Sequence, residues 1–251
     1  MPSVQDQKNS FDKSFGKQAL DLSHHTTTDP LTRFARDRRL EIAWTQLIRP
    51  VLDPAASSAL VVCGGAGGEA RWLLDKGFQR VVNSELSPEG LQYSSRIAPG
   101  AETAEANAEA LPFPDSSFDL VLVQDGLHHL PRPVLGFHEM LRVTRHLALV
   151  IEPHDGLVAR CLGTEWENPG PHENFVFRWN ARLMEQAAKS QLGRGCRTRC
   201  IRHFNHNMWT MKIGLICPFQ QMRPWLTRTF YQTTDAARVL GNSFIGLVEK
   251  K

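Results

Sequence analysis

Between residues 59 and 152, short apolar runs alternate with segments whose apolar positions recur at helical spacing. Ala59–Cys63 (ALVVC) is a continuous apolar run ending in glycines, the pattern of a strand buried on both faces. Glu69–Lys76 then carries Ala70, Leu73 and Leu74 on one helical face and stops at Gly77, a natural C′ residue. Val81 and Val82 open a second strand that closes at Glu85, and Ser87-Pro88 starts a helix through Leu91 to about Ile97. Phe118–Gln124, Pro133–Arg142 and Leu147–Glu152 continue the series as strand, helix and strand. Such alternation predicts an α/β fold with a doubly wound, mainly parallel sheet, whose ligand lies at the carboxyl ends of the strands.

The flanks read differently. Residues 1–28 form a polar leader with one short helix around Phe11–Leu22, and residues 29–58 form an N-terminal helical extension. In that extension Asp29 caps a helix begun by Pro30, and its apolar stripe runs from Leu31 to Ile48. Residues 59–155 make the ligand-binding core. Residues 156–192 supply a lid and substrate-pocket segment, with a helix over Asn180–Gln191. Residues 193–251 return to the same sheet through Cys196–Phe204 and Ser243–Val248, with a helix over Trp225–Leu240 between them.

Composition adds limits. In 251 residues, 41% hydrophobic and 22% charged, no apolar run approaches the roughly 20 residues that span a bilayer, and the first residues show no export signal. A soluble, cytoplasmic protein without a membrane partner is expected, and its five cysteines, an odd number, are expected as reduced thiols. The net charge of +3 hides an asymmetry. Residues 59–155 hold 7 Lys/Arg against 13 Asp/Glu, whereas 193–251 hold 10 against 2, a basic half suited to steering an anionic substrate or contacting nucleic acid.

The first candidate chemistry is the turn from Cys63 to Gly68. Placed between a strand and a helix, Gly64, Gly65 and Gly67 let a ligand approach backbone N–H groups and a helix N-terminus. Eighteen residues after Gly67, Glu85 ends the second strand, where a carboxylate accepts from both hydroxyls of an adenosine ribose. Dinucleotide enzymes share both features, so the turn and the acid leave two cofactors open.

Residues 107–121, NAEALPFPDSSFDLV, followed by DGLHHL at 125–130, narrow the choice. This stretch resembles the class I S-adenosylmethionine-dependent methyltransferase family, especially the branch of ubiquinone and menaquinone biosynthesis methyltransferases, with its pattern D-A-x-x-L-P-F-P-D-x-S-F-D-x-V and then L-H-H. With the glycine turn, Glu85–Pro88 and EMLRVTR at 139–145, the resemblance covers about Leu60 to Glu152. It implies a seven-stranded Rossmann-like methyltransferase sheet and S-adenosyl-L-methionine as cofactor. By position it implies that Gly65 and Gly67 pass the methionine moiety, with Cys63 and Gly64 of the same turn also cofactor-binding, that Glu85 holds the ribose, and that Leu86 lies against the adenine. Asn107 stands where an acid reads the adenine amino group, with Ala108 beside it, and Gln124 and Asp125 lie at the rim shared with the substrate. The chain departs from the pattern at Val61, where the first strand usually carries an acid, and at Cys63, where the family has a glycine.

Methyl transfer from a sulfonium is an in-line displacement, so the protein mainly orients the nucleophile and, for some acceptors, removes a proton. His129, after the fourth strand, is the first candidate base; His128 and His154 come after it. Trp44, Trp166, Phe177, Arg178 and Trp179 suggest a substrate pocket for an aromatic or anionic small molecule. Cys196, Cys200, His203 and His206 have soft and imidazole ligands within eleven residues, but one strand presents them poorly to a tetrahedral metal, and no metal is expected. The expected function is methyl transfer to O, N or C of a metabolite. Two alternatives stay open: an RNA- or protein-directed enzyme or non-catalytic cofactor-binding partner, and a cyclisation enzyme assisted by the sulfonium. The absence of an Asn/Asp-Pro-Pro-Tyr/Phe motif after Phe118–Gln124 argues against nucleic acid.

Overall fold

The computed structural model describes residues 4–18, 30–163, 165–167, 174–205, 217, 219–237 and 241–251. Its centre is a seven-stranded sheet in the order β3-β2-β1-β4-β5-β9-β8. The strands are β1 (Ser58–Val62), β2 (Arg80–Glu85), β3 (Glu102–Glu105), β4 (Phe118–Gln124), β5 (Thr144–Pro153), β8 (Cys196–His203) and β9 (Ser243–Lys250). β1 to β5 pair in parallel, and β9 runs antiparallel between β5 and β8. The expected doubly wound, mainly parallel sheet is therefore present. A separate two-stranded ribbon joins β6 (Trp166–Glu167) to β7 (Asn174–Phe175).

The continuous apolar runs are explained by burial on both faces. Leu60, Val62, Val121, Val123, Ala148 and Val150 enter one core, while Ala59, Val61, Leu120, Leu122, Leu149 and Ile151 enter the other. The first core is closed by helices α5 (Pro133–Val143) and α7 (Ala181–Leu192), through Phe137, Met140, Met184 and Ala188. The second is closed by α2 (Pro30–Ala43), the π-helical turn Trp44–Ile48, and α3 (Gly68–Asp75).

β3 is the strand that the hydrophobic pattern does not reveal. Its sequence ETAE is polar and largely exposed, and it is held by its parallel ladder to β2 at the sheet edge, where charged side chains also discourage further pairing. Helix α1 (Val4–Gln18) starts earlier than its sequence suggests, residues 19–22 of the expected helix lie outside the described residues, and α1 lies beside α4 (Pro88–Ile97): Lys8 pairs with Glu105, and Asp12 accepts from the Ser87 hydroxyl. Short α6 (Leu157–Leu162) and α8 (Arg223–Ala236) complete the chain, and no described helix is long and apolar enough to cross a membrane. Residues 168–173 of the expected lid, His206, and the end of the helix expected to reach Leu240 lie outside the described residues.

Candidate active site

The carboxyl ends of β1, β2 and β4 converge on the glycine turn. Gly64 donates its N–H to Ser84 O at 2.9 Å and Gly67 donates to Gly64 O at 2.8 Å, which folds the turn back on itself. Cys63, Gly65 and Gly67 have φ of 53°, 47° and 87°, the left-handed region that glycine enters without penalty and cysteine does not. From β2, buried Asn83 donates to Ser94 Oγ at 3.0 Å and reaches Gly65 O at 3.4 Å, supporting the turn from below. Glu85 accepts from the backbone N–H of Gly65 (3.0 Å), Leu86 (2.7 Å) and Ser87 (3.1 Å). Burial pushes its carboxyl above the ordinary range, and the three N–H groups oppose that shift. Burial, followed by Glu85 and Glu152, pushes the Cys63 thiol well above its usual value, so it stays protonated.

A second group forms where α2 crosses the strand ends. Arg39 donates from Nη1 to Asp125 Oδ1 at 2.7 Å, and its other terminal nitrogen holds Oδ2. Burial alone would raise Asp125, but the Arg39 guanidinium holds its carboxyl below the usual range. Beside them, Gln124 Nε2 donates to Glu69 Oε1 at 3.0 Å, while the buried Gln124 Oε1 accepts nothing from the described residues. Glu69, in the first turn of α3, is pushed up to about 7, chiefly by burial and also by Asp125, with Arg39 opposing. Arg39 is thus paired with Asp125, while Glu69 feels its charge without being bonded to it. Sequence reasoning missed Arg39 and Glu69 because only tertiary packing brings α2 across β4.

After β4, Glu152 is buried and accepts from Gly126 N (2.8 Å) and Leu127 N (2.7 Å), and His128 Nδ1–H donates to it at 2.6 Å. His129 is half-buried, with its ring centroid 4.1 Å from that of His128. His154 follows β5 and is stacked on Phe244.

Residues 60–151 match the methyltransferase domain family. Over those residues the chain is similar to the class I S-adenosylmethionine-dependent methyltransferases. Among curated relatives, the Clavibacter sepedonicus demethylmenaquinone methyltransferase is 31% identical over 126 residues, 49% of this chain and 50% of that protein. The 2-methyl-6-phytyl-1,4-hydroquinone methyltransferase of Synechocystis is 34% identical over 96 residues, 37% of this chain and 30% of that protein. The chain spans about half the length, or less, of the curated relatives it matches. Similar folds occur in the [4+2]-cyclase SpnF, at TM-score 0.64 and 14% identity over 99% of this chain and 97% of that one. The magnesium protoporphyrin IX methyltransferase of Synechocystis PCC 6803, solved with bound SAH, has a TM-score of 0.63 and 11% identity over 99% of this chain and 100% of that one.

Within the matched residues, the 107–117 stretch that carried the resemblance is largely an architectural element. Arg142 on α5 donates to Phe113 O, Leu111 O, Asp115 and Glu139, fastening the loop to the helix. Glu109 accepts from the Arg132 backbone and guanidinium. Asn107 Oδ1 accepts from Glu109 N at 2.9 Å in a local turn, and Ala108 is buried beside it. Leu86 is half-buried at the end of β2.

The five pocket candidates are dispersed. Trp44 is packed in the second core against Trp72 and Phe78. Trp179 is fully buried in the first core, in contact with Phe137 and with half-buried Phe177. Trp166 is exposed on the β6/β7 ribbon against Phe175, and Arg178 lies between the ribbon and Trp179 in the chain, half-buried.

Proposed function

We propose that this chain binds S-adenosyl-L-methionine across the carboxyl ends of β1, β2 and β4 and transfers its methyl group to an O, N or C atom of a small-molecule acceptor. The observation that carries the reading is Glu85: a buried carboxylate at the end of β2 whose bonds tie it to Gly65 of the turn. The Arg39–Asp125 pair with Glu69 near it supports the reading, because carboxyls of both kinds and a guanidinium suit a ligand that carries an ammonium, a sulfonium and a carboxylate.

In this reading Cys63, Gly64, Gly65 and Gly67 offer backbone to the methionine moiety, with Glu69 and Asp125 toward its cationic groups and Arg39 toward its carboxylate. Glu85 takes the ribose hydroxyls, and Leu86, Asn107 and Ala108 surround the adenine. The cofactor supplies an activated methyl on sulfur, so this chain's own work is to orient the acceptor, exclude water and accept a proton where the acceptor has one to lose. His129 is the residue assigned that proton. The Glu152–His128 pair acts as a positioning strut, since Glu152 fixes the backbone of residues 126 and 127 and the neighbouring ring together. Two of the relatives are named for methylating demethylmenaquinone and 2-methyl-6-phytyl-1,4-hydroquinone, so an aromatic hydroquinone is the first acceptor class to test.

Calorimetry with S-adenosylmethionine and with NADH tests cofactor choice. Wild type is expected to bind S-adenosylmethionine, and Glu85→Ala to weaken binding roughly tenfold or more, from loss of charge-assisted bonds of about 1.5–3 kcal/mol. Binding of NADH and not S-adenosylmethionine would overturn the assignment. Formation of S-adenosylhomocysteine with a hydroquinone acceptor tests transfer. His129→Asn should slow it by roughly 10²–10⁴ if the histidine takes the proton; an unchanged rate would leave orientation as the protein's contribution. Tight cofactor binding with no product from any acceptor would favour the non-methylating reading.

A further inference from the structure

A cavity of about 330 Å³ opens away from the glycine turn and is lined by His154, Asp155, Gly156, Arg160, Arg202 and Gly241, with Leu157. We propose that this cavity binds an oxyanion, the carboxylate or phosphate group of the acceptor molecule. That the anion belongs to the acceptor rests on the methyl-transfer reading; the binding site itself does not.

Strand register brings the lining together. Glu152 on β5 pairs with Phe244 on β9, and Phe244 pairs with Arg202 on β8, so all three lie on one row across the sheet. Phe244 enters the core closed by α5 and α7, which places Arg202 on that same face. His154 follows Glu152 by two residues and stacks on Phe244, with ring centroids 6.2 Å apart. The cavity is therefore at the carboxyl edge of the sheet, roughly 7 Å along β5 from the residue that holds His128.

Three features give it anion chemistry. Arg202 is exposed and makes no hydrogen bond or ion pair with the described residues, so its guanidinium is available. Arg160 also lines the cavity, with Asp155 holding it from Nε (2.8 Å) and Nη2 (2.8 Å). Two guanidiniums against one carboxylate leave a positive excess. His154 is 5% exposed, and its Nδ1 has no hydrogen-bond partner among the described residues. A methyl group at Gly156 would lie 2.5 Å from that nitrogen, so the glycine keeps Nδ1 open toward the lining. A buried polar atom left unbonded is costly, and a ligand oxygen would satisfy it. Burial, then Arg202 and Arg160, lower the His154 pKa, with Asp155 opposing them. An oxyanion would reverse the cationic part of that shift.

The test follows the His154 ring signals by NMR in the full chain during titration with inorganic phosphate and, separately, benzoate. Wild type should show saturable shifts at His154 with one probe or both, and the stronger probe identifies the group. Arg202→Gln should weaken the response roughly tenfold or more, as loss of a charge-assisted bond of about 1.5–3 kcal/mol requires. Arg228→Gln, on the exposed surface of α8, should leave it unchanged. Because Arg202 and Arg228 are both exposed, melting temperatures near wild type are expected and check that each variant folds. No saturable shift at His154, or equal losses in the two variants, would overturn the proposal. Adding S-adenosylmethionine to the same samples separates the two claims: probe binding without cofactor binding defeats the methyltransferase reading alone, and the converse defeats the cavity alone.

Discussion

Cys63 stands where the family carries glycine, and Gly126 packs directly against it. A methyl group built on Gly126 would lie 2.5 Å from Cys63 Cβ and 2.9 Å from Val123 Cγ2, closer than side-chain carbons approach one another. Gly126 itself has φ of −116°, which alanine adopts readily, so its substitution tests packing and not backbone strain. Both neighbours are held by strand ends, and neither is the far end of a flexible side chain. Gly126→Ala is therefore expected to destabilise by roughly 1–3 kcal/mol, the usual range for overpacking. Cys63→Gly removes the nearer clash and a left-handed cysteine costing about 1–2 kcal/mol, but gives up some buried surface and loosens the unfolded chain by about 0.5–1 kcal/mol. Alone it should stay within about 1 kcal/mol of wild type. Together the two substitutions should recover a substantial part of the Gly126→Ala loss, with a coupling of at least about 1 kcal/mol, the remainder belonging to Val123. Urea denaturation of the four proteins, with matched slopes, measures this cycle. Additivity within about 0.3–0.5 kcal/mol would refute the packing argument.

Glu69, raised to about 7 in the folded protein, should make cofactor binding depend on pH: a cation stabilises its carboxylate, so S-adenosylmethionine affinity should rise between pH 6 and 8, and calorimetry on Glu69→Gln should lose that component. Because its folded pKa is raised, Glu69 contributes to stability below the ordinary glutamate range, and that contribution is lost as pH climbs from about 4.5 through 7. Apo Glu69→Gln should accordingly melt higher than wild type at pH 8 and show little difference at pH 4. Arg142→Ala leaves the carbonyls of Leu111 and Phe113 and the carboxylate of Glu139 without their shared donor, so thermal or urea unfolding should show a loss of about 2–3 kcal/mol; a loss below about 0.5 kcal/mol would mean that the 107–117 loop is held by its apolar contacts alone.

Much of the fold was legible because its strands are buried on both faces. Phe118–Gln124 spans the residues its apolar run indicates, and Ser87 and Asn180 cap the helices that follow them, accepting from Gly90 and Leu183. The place of Glu85 was legible too, since the strand opened by Val81 and Val82 closes there. The residues that escaped were those whose significance is not local. ETAE at 102–105 has no strand periodicity and becomes β3 only by pairing with β2. Trp44 and Trp179 read as pocket aromatics by type, yet they fill the cores on opposite faces of the sheet, because large apolar rings bury more area there than at a rim.

The order of apolar runs, glycines and caps by itself determined the alternating α/β plan and the edge of the sheet at which a ligand would lie. Those are consequences of periodicity and backbone freedom, which act over a few residues. Tertiary structure decided which charges meet there: Arg39 with Asp125 across 86 positions, His128 with Glu152 across 24, and Arg202 with His154 through an intervening strand. Electrostatic interactions depend on separation in space and on the exclusion of water, and neither is set until the helices have closed over the strand ends.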